Sequence, residues 1–481
     1  QASAIGDAGK CAKNLATGPS GDKNSVANFF HAGFWKTIIV TPLISSAADA
    51  LAGTIHVPGD KSISHRALLL GALSTGQTRI EGLLEGEDVL AMAAALRMMG
   101  VTISRTGDGV WTVNGRGIAG LGEPDGILDM GNSGTAARLL MGVLAGHPFP
   151  ATLTGDASLN SRPMGRVTEP LSAMGVVFNA RSGDRLPLTM TGSADLLPLD
   201  YRLPVASAQV KSAILLAGLA SPGVTRVVEP TPTRDHTERM LQAFGAELTV
   251  EPDSDGGRSI SLQGQPELTA TDVVVPADIS SAAFPLVAAL LVEGSDITVE
   301  NVGINPERIG LLDALDAMGA DIRLENKHQV AGEPVADIRA VHGPLKGADI
   351  DPGRAAAMID EYPILAIAAA FATGTTTMKG LGELRHKESD RLSAMARGLK
   401  AAGVEVEEGD DYMIVQGDGT PPVGGAAIKT GLDHRIAMAF LVLGMASNAP
   451  VSIDDAAPIE TSFPDFTNLM NRIGTKIGPV T

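Results

Sequence analysis

The stretch Gly59 to Arg66 reads GDKSISHR and sets Lys61, Ser62 and Arg66 directly ahead of the apolar run Ala67 to Leu73. Ser62 or Ser64 can cap that run as a helix. A helix start leaves several N–H groups unpaired and carries a partial positive charge, which favours an anion by roughly 0.3–1 kcal/mol. Two fixed cations and a hydroxyl at the same turn exceed what a cap needs and suit a phosphate or carboxylate. Taken alone, the stretch would serve equally as a capped helix with a solvated basic end.

Polar starts recur ahead of other apolar helices. Asn132, Ser133, Gly134, Thr135 and Arg138 open one, Ser207, Gln209 and Lys211 a second, Asp360 and Glu361 a third, and Asp433, His434 and Arg435 a fourth. Between helices, RHKESDRL brings Lys387, Glu388 and Arg391 together, with Lys387 and Arg391 four apart and so expected on one helical face. SRPMGR contributes Arg162 and TPTRDHTER contributes Arg234. If these groups converge on one cleft, many cations surround a few carboxylates, an arrangement for a substrate with several phosphates or carboxylates. Two basic faces would then repel until such a ligand bridged them.

The elements that must position these residues repeat. An apolar residue, three more residues, Gly and a β-prone run occur as LRMMGVTI, LSAMGVVF, LQAFGAEL, LDAMGADI, LKAAGVEV and MNRIGTKI, whose glycines lie 75, 70, 74, 84 and 71 residues apart. Glycine after the last turn reads as a left-handed C-cap, followed by a strand. Six further stretches, among them ILDMGNSGTAARLLMGVLAG and AAIKTGLDHRIAMAFLVLGMA, run from strand through polar turn into a helix apolar on all sides. Such helices must be buried beneath sheet and outer amphipathic helices. The unit is strand, buried helix, strand, amphipathic helix and strand, in six copies. The sixth copy lacks one strand, and Thr54 to Val57 is expected to supply it. The chain then divides into a lobe over 59–275 and a lobe over 48–58 plus 276–481, hinged at 58–59 and 275–276.

A length of 481 residues with 44% hydrophobic and 3% aromatic residues allows such a two-lobed α/β protein with aliphatic cores. The formal net charge of -18 argues against nucleic acid or an anionic membrane as partner. A lone cysteine, Cys11, excludes an intrachain disulfide framework and any Cys-based metal site, which makes the cytoplasm the expected compartment. Residues 1–47 lack the repeat and read as a leader, disordered, carried over from expression, or a targeting segment. GRGIAG at Gly115 fits a dinucleotide fingerprint, but no apolar helix follows, so a turn is expected. The histidines beside Arg or Lys have no metal-ligand spacing and read as donors lining a site.

GDKSISHR, GNSGTAARLL, SRPMGR, ASAQVKSA, TRDHTE, IDEYP, RHKESDRL and LDHRIAM, in this order over about 50–470, resemble the 5-enolpyruvylshikimate-3-phosphate synthases, and the ASAQVKS and TRDHTE forms resemble the bacterial class II branch. The resemblance implies a two-lobed inside-out α/β barrel of six βαβαββ repeats, three per lobe. It implies transfer of the enolpyruvyl group of phosphoenolpyruvate to the 5-hydroxyl of shikimate 3-phosphate, by a monomer needing no cofactor or metal. Shikimate 3-phosphate would touch Lys61, Ser62, Arg66, Ser207, Ala208, Gln209, Arg234, Asp360 and Lys387. Phosphoenolpyruvate would touch Lys61, Gly134, Arg162, Gln209, Arg391 and Arg435. Asp360 would take the hydroxyl proton, while Lys61 and Glu388 would handle the proton at the methylene carbon. Gly134 implies sensitivity to glyphosate, which occupies the phosphoenolpyruvate site in this family. Ala208 and Thr461 depart from class I, where a serine and a lysine would stand, and agree with class II. Two rivals remain. An enolpyruvyl transferase acting on UDP-N-acetylglucosamine generally uses a mobile-loop cysteine, whereas Cys11 lies in the leader. An inactive descendant would be expected to lose Lys61, Asp360 or Glu388.

Overall fold

The computed structural model describes residues 41–330 and 332–480, so the aromatic residues at 29–35 and Cys11 lie outside the described part. Six small sheets carry the six repeats. In the second, the strand Leu128–Asp129, the helix Gly134–Leu144 and the strand Pro150–Thr154 are followed by the helix Gly165–Ala173 and the strands Val177–Arg181 and Arg185–Thr191. Pro150–Thr154 pairs parallel to Leu128–Asp129 and antiparallel to Arg185–Thr191. Parallel neighbours need a crossover, and the all-apolar helix provides it. All six glycines read as C-caps have positive φ, from 80° at Gly319 to 118° at Gly474. The helix ends and the repeat period therefore share one cause, a backbone angle open to glycine without penalty.

Buried apolar residues form two separate cores. One draws on residues 63–275 and the other on residues 43–57 and 277–477. In the first, Gly134–Leu144 packs against Lys61–Leu73 and Ala208–Gly218. A Cβ at Gly142 would stand 2.4 Å from the Ala213 carbonyl oxygen, so these two helices meet backbone to backbone. In the second, Ile279–Leu291, Tyr362–Phe371 and His434–Ala446 pack against one another.

The chain passes between the cores twice, side by side. Ala52–Ile55 precedes the first core's Lys61–Leu73 helix yet pairs parallel with Asp296–Gly303 in the other. Val273–Val274 precedes Ile279–Leu291 yet pairs parallel with Gln77–Glu81. Where they cross, Asp60 N–H donates to the Pro276 carbonyl at 2.8 Å and Asp278 N–H donates to the Pro58 carbonyl at 2.9 Å. A Cβ at Gly59 would stand 2.0 Å from the Gly82 carbonyl oxygen, so only glycine fits this crossing.

The strand count needs a correction at the beginning of the fold. The strand that completes the sixth sheet is Leu43–Ser46, inside the stretch expected to be leader; it lies between Val451–Ile453 and Lys476–Pro479 and is antiparallel to both. Ala52–Ile55, two residues before the expected Thr54 to Val57, is instead an edge strand of the fourth sheet. Leu43 and Ser45 face inward and are buried, whereas three of the four residues of Ala52–Ile55 are exposed. The central position goes to the segment whose alternation buries one face.

Truncation separates these assignments. Removing residues 1–40 takes away no part of the described fold and should leave the melting temperature within a few degrees. Removing residues 1–46 exposes two strand edges and the pocket left by Leu43, a loss of several kcal/mol by the scale of about 1.5–3 kcal/mol per buried aliphatic side chain plus unpaired backbone. That shorter chain should be recovered mainly as aggregate or melt far lower in circular dichroism.

Candidate active site

Five of the six buried helices, all but Tyr362–Phe371, begin with a side chain that caps their own backbone, and this fixes what faces outward. Asp60, and not either serine, caps the first, with Oδ1 accepting from the Ile63 N–H at 2.9 Å. Lys61 and Ser62 consequently stand on its first turn. Ser133 caps the second through the Ala136 N–H at 3.1 Å, Ser207 the third through Val210 at 3.4 Å, and Asp433 the sixth through Arg435 at 3.0 Å. Each cap contributes about 1 kcal/mol and leaves the next residues free to point away from the core.

These starts converge on one cavity of about 320 Å³. Lys61, Ser62, Gly134, Arg162, Ser207, Ala208, Gln209, Arg234, Asp360, Lys387, Glu388, Arg391 and Arg435 all line it. Nine Lys or Arg side chains and five Asp or Glu side chains form its wall, so the lining is cationic in a chain of net charge -18. An anionic ligand is attracted to this place despite the negative charge of the whole chain.

Asp360 is gripped from both sides. Arg234, from the first core's part of the chain, donates to Oδ2 at 2.6 Å. Arg391 donates to Oδ1 at 3.0 Å and Lys387 lies 3.4 Å from the same atom. Burial pushes the Asp360 carboxyl up, but Lys387, Arg234, Arg435 and Arg391 outweigh it and hold it well below the ordinary carboxylate range. Lys387 and Arg391 do not share a helical face, because the helix begins at Arg391 and Lys387 follows a short 3-10 turn, Gly382–His386. They meet through their common carboxylate.

Glu388 has the same surroundings. Its carboxylate is bonded to Arg391 and lies 3.5 Å from Arg162, and its backbone carbonyl accepts from Ser158 at 3.0 Å. Burial raises its proton affinity, and Arg391, Arg162, His434 and Lys387 together pull it well below the usual range. His434 is itself held well below an ordinary imidazole by burial, Arg435 and Lys61. With Arg166 bridging to Glu383 at 3.0 Å, three arginines of one half reach three carboxylates of the other. The expected repulsion between two basic faces is therefore absent; the faces are complementary in charge.

Arg66 is the one expected contact that does not reach the cavity. Its guanidinium lies behind the wall and donates to Thr237 Oγ1 at 2.6 Å, to the Ser62 carbonyl at 2.8 Å and to Ser212 Oγ at 2.8 Å. Burial brings it down to about 10, and it braces the turn that carries Ser62.

Other groups at the site were not among the expected contacts, or were expected without their partners. Asp88 is ion-paired to Lys61. Arg138 donates to Gln209 Oε1 at 2.6 Å, and Gln209 donates to Thr135 at 2.8 Å, which fixes the amide's orientation. Arg308 donates to Asp278 at 3.3 Å and Ser280 at 2.7 Å, beside the crossing. Asp278 is pushed up to about 6 by burial and by neighbouring Asp60, which stays low because His236 and Arg308 offset its burial. Arg138 and Asp278 stand at the starts of apolar helices; Asp88 and Arg308 are single polar residues whose partners are distant in sequence.

Residues 46–470 match the family profile described as EPSP synthase (3-phosphoshikimate 1-carboxyvinyltransferase). The chain is 60% identical over 440 residues to the 3-phosphoshikimate 1-carboxyvinyltransferase of Paramagnetospirillum magneticum, covering 92% of this chain and 99% of that one. Among solved structures it is similar to EPSP synthase from Acinetobacter baumannii, with a TM-score of 0.81 and 45% identity over 92% of this chain and all of the other. It shares its fold with the enolpyruvyl transferase NikO from Streptomyces tendae, at a TM-score of 0.72 and 18% identity over 91% of this chain and 99% of the other.

The buried imidazole of His65, 3.4 Å from Ser133 Oγ, links the site to pH. Burial, then Lys61 and Arg66, lower its proton affinity well below the ordinary value. The unfolded chain thus binds this proton first, so the stability contributed by neutral His65 is present above about pH 6.5 and lost below it at up to about 1.4 kcal/mol per pH unit. Urea unfolding at pH 6.5 and 5.5 should show a smaller drop in His65→Gln than in the parent. Equal drops would remove His65 from the titration.

Proposed function

The chain belongs to the EPSP synthase family, and we propose the division of labour by which its cavity runs the family's reaction. The enzyme is a 3-phosphoshikimate 1-carboxyvinyltransferase of the shikimate pathway, acting on shikimate 3-phosphate and phosphoenolpyruvate. The 5-hydroxyl oxygen adds to C2 of phosphoenolpyruvate while a proton goes to C3. The C2–O bond to phosphate then breaks, the phosphate departs, and a C3 proton is lost to restore the alkene. Atoms balance with no other reactant.

In our reading, Lys61, Ser62, Ser207, Ala208, Gln209, Arg234, Asp360 and Lys387 receive shikimate 3-phosphate, with Arg66 acting from behind Ser62. Lys61, Gly134, Arg162, Gln209, Arg391 and Arg435 receive phosphoenolpyruvate. Asp360 accepts the hydroxyl proton, and Lys61 and Glu388 serve C3. What supports this is the convergence of all the expected contacts except Arg66 on one cationic cavity. The electrostatics add a condition. Asp360 and Glu388 are weak bases while arginines and lysines hold their charge. Substrates bearing phosphate and carboxylate neutralise the same cations and raise both proton affinities, so Asp360 becomes a stronger base and Glu388 becomes able to hold a proton when the cavity is filled.

The two apolar cores are read as two lobes, 59–275 and 276–480 with 43–58, hinged at 58–59 and 275–276. A monomer is the working unit that we propose. No helix among the described residues is long and apolar enough to cross a membrane, in keeping with the cytoplasmic location that we propose.

Two substitutions test these roles. Asp360→Asn should lower kcat by roughly a hundredfold or more, the scale of a lost general base, with both KM values changed far less; near-parental kcat would refute the assignment. Gly134→Ala sets a methyl 2.9 Å from Arg138 Nη1 and 3.2 Å from Arg162 Nη1, so a guanidinium must move. The parent should be inhibited by glyphosate in competition with phosphoenolpyruvate. The variant should lose inhibition by about tenfold or more, on the order of one charged hydrogen bond. Resistance of the parent would show that other residues shape this subsite.

A further inference from the structure

We propose that His236 and Glu333, neither of which lines the cavity, form a buried clasp that positions Arg234 for shikimate 3-phosphate; this rests on the contact assigned to Arg234 above. His236 opens the helix His236–Ala243, whose Met240 and Leu241 belong to the first core. Glu333 opens the strand Glu333–Val341, whose Ile338 and Ala340 belong to the second. His236 Nδ1 donates to Glu333 Oε1 at 2.8 Å, with both side chains at most 4% exposed. Asn305 Nδ2 donates to Glu333 Oε2 at 3.1 Å and to Asp235 Oδ1 at 2.7 Å, closing a ring of contacts from one half to the other.

Arg234 stands between two anchorages. On its N-terminal side, Glu229 Oε2 accepts from the Thr233 N–H at 3.2 Å and from its hydroxyl at 2.7 Å, while Glu229 itself is held by the buried Lys211 at 3.0 Å. That ties Thr233 to its own half. On the C-terminal side, Asp235 and His236 are tied to Asn305 and Glu333 of the other half. The backbone of Arg234 is therefore fixed across the cleft, at the place from which its side chain meets Asp360 at 2.6 Å. Plain adhesion between the halves is also available nearby, from Arg258 to Glu307 and from Arg239 to the Gly332 carbonyl. What distinguishes the His236–Glu333 pair is that His236 is only two residues from Arg234. A group that acts through Arg234 must lose its effect when Arg234 is gone.

The test is a set of steady-state measurements on the full-length enzyme. His236→Leu should raise KM for shikimate 3-phosphate about tenfold, on the scale of one buried hydrogen bond to a charged group, and KM for phosphoenolpyruvate less than about twofold. His236→Asn, whose amide can donate where Nδ1 does, should restore most of the loss. In an Arg234→Ala background, His236→Leu should add less than about twofold, because coupled residues are not additive. A full multiplicative effect in that background, an equal rise in both KM values, or no rise in the single variant would overturn the clasp. Unchanged KM in Arg234→Ala alone would instead overturn the contact assigned to Arg234. If His236→Leu does not fold, Glu333→Gln takes its place in each comparison with the same expectations.

Discussion

The ion pair between Arg234 and Asp360 governs the rest of the site. Each group is mostly buried, and a buried charge left alone would cost several kcal/mol, so Arg234 depends on Asp360, or on a ligand that replaces it, for its partner. The pair also joins the two cores at the centre of the cavity. Lys387, Arg391 and Arg435 crowd the same carboxylate, and Asp433 in turn holds Arg391 at 2.8 Å. Charge balance, more than shape, dictates which side chains face one another here. A polyanionic substrate enters by exchanging partners with groups already oriented.

That exchange needs the two halves in register, and the paired crossing of the chain supplies it. Asp60 and Asp278 cap helices of different cores, yet their backbone amides reach across to Pro276 and Pro58. Arg308 lies over Asp278 and offsets the burial of both carboxylates. The crossing is consequently held by a reciprocal pair of backbone hydrogen bonds and free of bulk at Gly59. Lys61 is one residue from it, so the cation at the start of the first helix is located by the junction itself.

Much of this was legible in the chain. Helices apolar on all sides and glycines at their ends leave a period that survives in sequence, because burial and a positive φ admit few residue types. The polar caps were legible as a class, although Asp60 and not a serine does the capping. The alternation of Leu43–Ser46 is only four residues long and follows Pro42, too short to distinguish a central strand from a leader. The complementarity of the two faces was hidden for another reason: sequence order says which groups share a helix start, not which start faces which. Arg166 meets Glu383 over more than two hundred positions, and nothing local marks either as a partner.

The central place of Leu43–Ser46 bears on how the polypeptide is made. Its two neighbours, Val451–Ile453 and Lys476–Pro479, are separated from it by some four hundred residues; the Thr41 amide bonds Asp455 across 414 positions. During synthesis this strand emerges long before either partner, so the sixth sheet closes late. The core over 63–275 gathers all the strands of its three sheets from its own stretch of chain and can form while the remainder is still being translated. The second core is a late event governed by loop closure over nearly the whole chain, and its exposed strand edges in the interim are the segments a chaperone would have to shield.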